Sequence, residues 1–132
     1  MSANSLMDFK DSIYLTKKEK LYRLKELSEL IFNNEIDKEM IQFLDELNIN
    51  PHICTTQCCS GHRNGKAHVS IRTDYKFEDL WKRIAPIMHN YNDTPISVQL
   101  MQDFGIPRYT FWFVDKWEYS IKILIDALKD DK

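Results

Sequence analysis

The sequence predicts a single α+β domain in which about four mainly antiparallel strands form one sheet with helices packed on it. Four segments repeat apolar residues with the helical period, and four others are rich in β-forming residues or alternate apolar with polar side chains. They follow the order α-α-β-β-α-β-β-α, and segregated helices and hairpins favour this class. With 132 residues, 43% of them apolar, the chain has the size of one domain with one core.

The chain is predicted to start with a flexible lead and a helix. The predicted domain comprises residues 1–132. Its first 12 residues are mostly polar and form the flexible lead. Thr16-Lys17-Lys18-Glu19 has the spacing of a capping box and predicts a helix over about residues 16–33, which Asn33-Asn34 ends. Its apolar stripe is expected to face the core and comprises Leu21, Leu24, Leu27, Leu30 and Ile31.

A second helix and two strands are predicted next. The second helix is amphipathic and stops before Asn50-Pro51, because a residue that precedes proline disfavours the helical conformation. Its apolar stripe comprises Ile36, Met40, Phe43, Leu44 and Leu47. Residues 52–57 are rich in β-forming residues, and residues 67–72 alternate apolar with polar side chains. These two strands are joined by a polar segment.

The second half of the chain predicts a helix, a long hairpin and a final helix. Thr73-Asp74 can cap the helix, which Pro86 is expected to bend or end. Residues 96–101 and 108–114 alternate as two strands, so Tyr109 and its alternate neighbours face the helices while Arg108 and Trp112 share the other face. The final helix covers residues 117–129.

Charge and cysteine content narrow the classes of function. The 18 basic and 20 acidic residues nearly balance, so any attraction to an anion must be local. Residues 47–73 contain no Asp or Glu, yet they hold Arg63, Lys66, Arg72 and three histidines. No apolar run is long enough for a membrane span and no signal peptide is visible, so we expect a cytoplasmic protein with reduced thiols and no membrane partner.

The segment ICTTQCCSGHRNG, residues 53–65, is the main candidate site. Small residues let main-chain N–H groups approach an anion, hydroxyl groups donate hydrogen bonds, and basic side chains supply charge. This composition favours a nucleotide-like or other phosphate-bearing small molecule. The predicted ligand-binding residues are Thr55, Thr56, Ser60, Gly61, His62 and Arg63, together with Arg72 at an exposed position on the next strand and Arg108 on a later one.

Three alternatives remain for this segment. Zinc could use Cys58, Cys59 and His62 with Cys54 or His52 and staple an interaction domain, but adjacent cysteines on an extended backbone point to opposite faces. Cys59 could act as a nucleophile beside His62, although no carboxylate nearby would orient the histidine. Asn64-Gly65 could also form only a solvated turn. Because the cysteines are poorly arranged for zinc, we expect no metal, and we also expect no cofactor.

The residues Thr55-Thr56-Gln57-Cys58-Cys59-Ser60-Gly61-His62 resemble the T-T-x-x-C-S-G-R signature of the wybutosine-synthesis methyltransferases, which act on a modified guanosine in phenylalanine tRNA. The resemblance implies an α/β fold with a ligand site at this loop. It places Cys59, Ser60 and His62 at the positions of the family's functional residues, with His62 where the family has Arg. RNA is therefore an alternative partner, although no S-adenosylmethionine motif is visible.

The function expected from the sequence is the binding, or sequestration, of a phosphate-bearing nucleotide-like ligand at residues 55–63. The alternative from a different class is an enzyme that modifies RNA or a nucleotide through Cys59, Ser60 and His62. The sequence leaves the identity of the ligand and the oligomeric state open.

Overall fold

A computed structural model describes residues 13–59, 67–88, 96–103, 106–113 and 116–129, and it contains the predicted elements in the predicted order. The elements are helix α1 (Lys17–Phe32), helix α2 (Lys38–Ile49), strand β1 (Ile53–Cys59), strand β2 (Ala67–Thr73), helix α3 (Phe77–Met88), strand β3 (Ile96–Asp103), strand β4 (Ile106–Phe113) and helix α4 (Trp117–Ala127). The α+β class is confirmed. The predicted lead, residues 1–12, lies outside the described residues.

The four strands form one antiparallel sheet in the order β1-β2-β4-β3. The predicted hairpin is confirmed, since β3 and β4 pair from Ile96 opposite Phe113 to Asp103 opposite Ile106. β4 also pairs with β2, so the chain passes through α3 from the centre of the sheet to its far edge before it returns along β4. At the opposite edge, the β1–β2 register shifts between Thr55 and Gln57, which makes Thr56 the extra residue of a β-bulge.

Helices α2, α3 and α4 cover one face of the sheet and enclose the hydrophobic core. The predicted stripe of α2 is confirmed, with Met40, Phe43, Leu44 and Leu47 all buried. Phe111 and Phe113 of β4 meet these helices, as the alternation predicted, and each such side chain contributes roughly 1.5–3 kcal/mol when it is removed from water. Helix α3 ends at Met88, two residues after Pro86.

Helix α1 packs differently from the prediction. Thr16 is its N-cap, as expected, and its hydroxyl accepts a hydrogen bond from the Glu19 amide at 3.1 Å. The expected burial of the apolar stripe is only partly met: Leu27 packs against the core, but Leu21 is 71% exposed and the buried residues of α1 are Glu19 and Arg23. The reason is the polar side chain opposite α1: β2 presents Arg72, which requires a carboxylate partner when it is buried.

Lys20 and Asn50 join α1, the end of α2 and the start of β1. The Lys20 ammonium donates to the carbonyl groups of Asn48, Asn50 and Ile53 at 3.0, 2.5 and 2.7 Å. A cation is favourable there because the last carbonyls of a helix carry partial negative charge. Asn50 donates to the Leu128 carbonyl at 2.6 Å, which ties this junction to the end of α4. The junction therefore sets where β1, and with it the predicted site, begins.

In the part of the chain that the structure describes, no helix is long and apolar enough to cross a membrane.

Candidate functional site

The sheet face opposite helices α2, α3 and α4 carries three cross-strand rows of mainly polar residues, and we call it the polar face. Residues directly opposite one another on paired strands share a face, so the register defines each row. The row beneath α1 contains Cys54, Arg72, Arg108 and Met101. The middle row contains Gln57, Ser70, Thr110 and Gln99, and the outer row contains Cys59, His68, Trp112 and Ser97. The outer row lies at the sheet end where β1 stops and β2 begins.

Arg72 lies in the row of the polar face beneath α1 and is not exposed. Its side chain is 1% exposed, and its guanidinium forms a two-pronged ion pair with Glu19 at 2.9 Å (Nε to Oε2) and 2.8 Å (Nη2 to Oε1). Its Nη1 atom donates to the carbonyls of Ile13 and Pro107. The expected exposure of Arg72 is therefore wrong. These bonds connect the segment before α1, β2 and the start of β4, so Arg72 has a structural role.

Two arginines stabilise the charged form of Glu19. Burial acts to raise the pKa of this carboxyl, but hydrogen bonds and charge from Arg72 and Arg23 outweigh it, so the pKa lies below its usual value. Arg23 contributes through its Nε atom, 2.6 Å from Glu19 Oε2. Glu19 therefore stays ionised at neutral pH although its side chain is fully buried.

Arg108 extends from the first row to the middle row of the polar face. Its Nη1 atom donates to the hydroxyls of Ser70 and Thr110 at 2.8 and 2.9 Å, and these two hydroxyls are 2.7 Å apart. Arg108 was predicted to bind the ligand from the face of β4 that it shares with Trp112, but its residue surface is largely buried. The hydroxyl pair fixes the direction of its guanidinium across the sheet, which places a cation beside the outer row.

An aromatic pair occupies the centre of the outer row. The rings of His68 and Trp112 are 4.7 Å apart between centroids and are inclined at 40°. Trp112 donates its indole N–H to the side-chain oxygen of Gln99 at 3.3 Å. Both rings are partly exposed. The alternation of β4 predicted the face of Trp112, whereas His68 was absent from the predicted site because an alternating polar residue gives no signal of its neighbour across the sheet.

Thr55 and Thr56, the first predicted ligand-binding residues, are in β1. Thr55 exchanges two hydrogen bonds with the Asn48 amide: its main-chain N–H donates to Asn48 Oδ1 at 3.0 Å, and its hydroxyl accepts from Nδ2 at 2.9 Å. Thr56, the bulge residue, lines a cavity of about 30 Å³ between β1 and the first two helices. That volume suits about one water molecule, so this cavity is too small for a nucleotide.

The remaining predicted residues are only partly described. Cys59 is the last residue of β1, where it pairs with His68, and its side chain lies outside the described part. Ser60, Gly61, His62 and Arg63 also lie outside the described residues. The described residues on either side of this segment adjoin the aromatic pair, since Cys59 pairs with His68 and Ala67 directly precedes His68.

The cysteines that the structure describes cannot share one metal ion. Cys54 opposes Arg72 on the polar face, whereas Cys58 opposes Val69 and packs against the core on the other face. His52, the other upstream zinc candidate, lies with its Nδ1 atom 2.9 Å from Asp74. Within the described ranges, no group of three His, Cys, Asp or Glu side chains could hold a metal ion.

Cys54 is also unsuited to nucleophilic chemistry. Burial raises the pKa of its thiol to about 12, although Arg23, Arg72 and Lys20 act in the opposite direction. The reactive form of cysteine is the thiolate, which is nearly absent at neutral pH for such a group. Of the thiols whose side chains the structure describes, only Cys58 remains a candidate nucleophile. The polar face itself offers stacking, hydroxyl groups and positive charge.

We predict that Arg72→Ala destabilises the fold strongly, by about 3–5 kcal/mol, because it leaves Glu19 buried without its main partner. Urea denaturation measures this loss, and Lys82→Ala, an exposed cation on α3, is the control with a small effect. A loss no larger than that of the control would contradict the role assigned to the ion pair.

The same pair predicts a dependence of stability on pH. The folded pKa of Glu19 is depressed, so its contribution is complete above the unfolded value near 4.5 and is lost as the pH falls through the lower folded value. Denaturation of wild type and Glu19→Gln across this acid range measures the contribution. The stability difference between the two proteins should shrink as the pH falls, and a constant difference would contradict the prediction.

We predict that iodoacetamide at neutral pH leaves Cys54 unmodified in the native protein and modifies it after unfolding in urea. Mass spectrometry of peptides locates the modification at each cysteine. Cys58, which is partly exposed, is the internal comparison. Modification of native Cys54 as fast as Cys58 would show that the first row of the polar face is open to solvent.

Comparison of the chain with models of known families, with curated proteins and with solved structures found no match. A functional assignment therefore depends on the chemistry of the polar face and of the segment that leads into it.

Proposed function

We propose that this protein binds a nucleotide-like, phosphate-bearing small molecule where residues 55–63 meet the outer row of the polar face. The observation that carries the proposal is the partly exposed His68–Trp112 pair, which lies beside the ends of the predicted ligand-binding segment. Aromatic rings at the end of a sheet provide a surface on which a base can stack, with roughly 1–3 kcal/mol per base.

Charge near the aromatic pair supports the phosphate part of the proposal. The guanidinium of Arg108 contacts the middle row, two residues along β4 from Trp112, which corresponds to about 7 Å along a strand. Residues 47–73 contain no acidic residue, so Arg63 and Lys66 add positive charge without a carboxylate nearby in sequence. Positive charge without nearby acidic residues, in a molecule that is nearly neutral overall, favours an anionic ligand.

Hydrogen-bonding groups beside the pair supply specificity. Gln99 accepts from Trp112 through its oxygen, which leaves the amide nitrogen to donate, and Gln57 occupies the same row on β1. Both glutamine side chains are exposed. Amide groups on each side of a stacking surface suit the edges of a base or the hydroxyl groups of a ribose.

Binding is preferred to catalysis because the described residues provide recognition groups but no assembled acid, base and nucleophile. Glu19, the buried carboxylate on this side of the sheet, is committed to Arg72 at the far end of the polar face. The enzymatic alternative, modification of RNA or of a nucleotide through Cys59, Ser60 and His62, depends on side chains outside the described part.

The direct test is mass spectrometry of whatever copurifies with the native protein, followed by calorimetric titration with a panel of ribonucleotides. We expect a nucleotide-like or other phosphate-bearing compound. Protein that carries no such compound and binds none of the panel would contradict the proposal.

We predict that Trp112→Ala weakens binding of the identified nucleotide by about 1–3 kcal/mol, because it removes the stacking surface. Calorimetry measures the affinity, and thermal unfolding verifies that the variant is folded. Trp81→Ala is the matched control, since Trp81 is a 41% exposed tryptophan on α3 in the other layer. Equal losses in the two variants would move the site away from the polar face.

We predict that Cys59→Ser binds the nucleotide as tightly as wild type, because recognition by main-chain groups and rings does not require a thiolate. The bound compound is also analysed after incubation with each protein. If wild type returned an altered compound while Cys59→Ser returned it intact, Cys59 would be catalytic and the enzymatic alternative would replace the binding function.

A further inference from the structure

Two apolar side chains remain on the surface where α1 passes the end of α2. Leu21 of α1 is 71% exposed and Ile49, the last residue of α2, is 78% exposed. Both line a groove of about 480 Å³ whose other apolar lining residues are Leu15, Leu24 and Pro51. The groove exists because α1 turns Glu19 and Arg23 inward, so part of its apolar stripe is left without cover from the core.

The two sides of this groove carry opposite charges. On α1, three exposed lysines surround Leu21 on the helix surface. Lys17 and Lys18 precede it by four and three residues, and Lys25 follows it by four. On α2, Asp45 and Glu46 are exposed and precede Ile49 by four and three residues. Along its own helix, each apolar residue is therefore bordered by exposed charges of one sign, basic on α1 and acidic on α2.

Lys20, His52 and Asp74, which line the groove, already have partners. The Lys20 ammonium donates to two carbonyls at the end of α2 and to one at the start of β1, and His52 is hydrogen bonded to Asp74. Contacts with another molecule would therefore come from the apolar residues and from the exposed charges on the two helices.

We infer that a second copy of this chain covers the groove and forms a two-fold symmetric dimer. A two-fold axis between Leu21 and Ile49 places the basic α1 side of one protomer on the acidic α2 side of its partner, and the reverse contact follows by symmetry. The apolar residues of both copies then meet at the centre. An anionic membrane or a nucleic acid fits less well, because either would be repelled by Asp45 and Glu46.

The dimer surface and the proposed nucleotide site are separate. The groove is formed by α1, the end of α2 and the residues that flank β1, whereas His68 and Trp112 occupy the outer row of the polar face. A failure of either proposal would leave the other standing.

Analytical ultracentrifugation of the full chain tests the inference. We expect a species of twice the 15.8 kDa protomer mass that dissociates on dilution. Leu21→Ser and Ile49→Ser should each raise the dissociation constant about tenfold or more, because they remove apolar contacts at the centre of the interface. Leu100→Ser on β3 is the control: Leu100 is 61% exposed but lies away from the groove, and its replacement should leave the constant unchanged.

Charge reversal distinguishes the two-fold arrangement from a general apolar association. Lys17→Glu and Glu46→Lys should each weaken the dimer several-fold, and the double variant should recover most of the loss, because the opposite charges are restored across the interface. Circular dichroism verifies that each variant is folded. A wild-type protein that stays monomeric at all concentrations, a dimer insensitive to Leu21→Ser, or a double variant that recovers nothing would overturn the inference.

Discussion

The buried ion pair between Glu19 and Arg72 determines how the first helix is placed. Removing two charges from water is costly, and the cost is offset only when the geometry is close and the remaining donors are satisfied. Here the Glu19 carboxylate accepts hydrogen bonds from two nitrogen atoms of Arg72 and from one of Arg23. Arg72 also donates to two main-chain carbonyls. Since these bonds have a narrow geometry, they fix the rotation of α1 about its own axis.

That rotation has two consequences on opposite sides of α1. Towards the sheet, it places a charged network over the first row of the polar face and leaves the outer row, with His68 and Trp112, partly exposed. Away from the sheet, it leaves Leu21 exposed beside Ile49. The proposed nucleotide site and the inferred dimer surface are thus connected through one constraint: in the first half of α1, the charged residues Glu19 and Arg23 occupy the inner side of the helix, and Leu21 is left outside.

The polar face divides into a structural part and a part suited to recognition. Cys54, Arg72 and Arg108 are buried, and the two arginines are hydrogen bonded to neighbouring groups, so the contribution of these residues is mainly to stability and to the local electric field. Gln57, His68, Gln99 and Trp112 are at least partly exposed and lie close to the end of the predicted ligand-binding segment. The buried part thus provides a fixed cation, and the exposed part beside it provides a stacking surface. This combination supports the proposal of an anionic ligand that carries an aromatic group.

The amino-acid sequence by itself determined the class of fold, the order of elements and the inward positions of α2 and β4, because local periodicity directly reports which side of a helix or strand is apolar. It also predicted the face of Trp112, and its prediction of a ligand site at residues 55–63 stays a prediction. Tertiary structure decided the rest. Thr55 was predicted to contact ligand but bonds to Asn48, Arg72 was expected to be exposed but bonds to Glu19, and His68 gained significance only from Trp112 across the sheet. Each of these outcomes depends on a partner distant in sequence or on a cross-strand register. For α1, the partner on β2 outweighed the burial of Leu21 because an unpaired buried charge costs more than an exposed leucine.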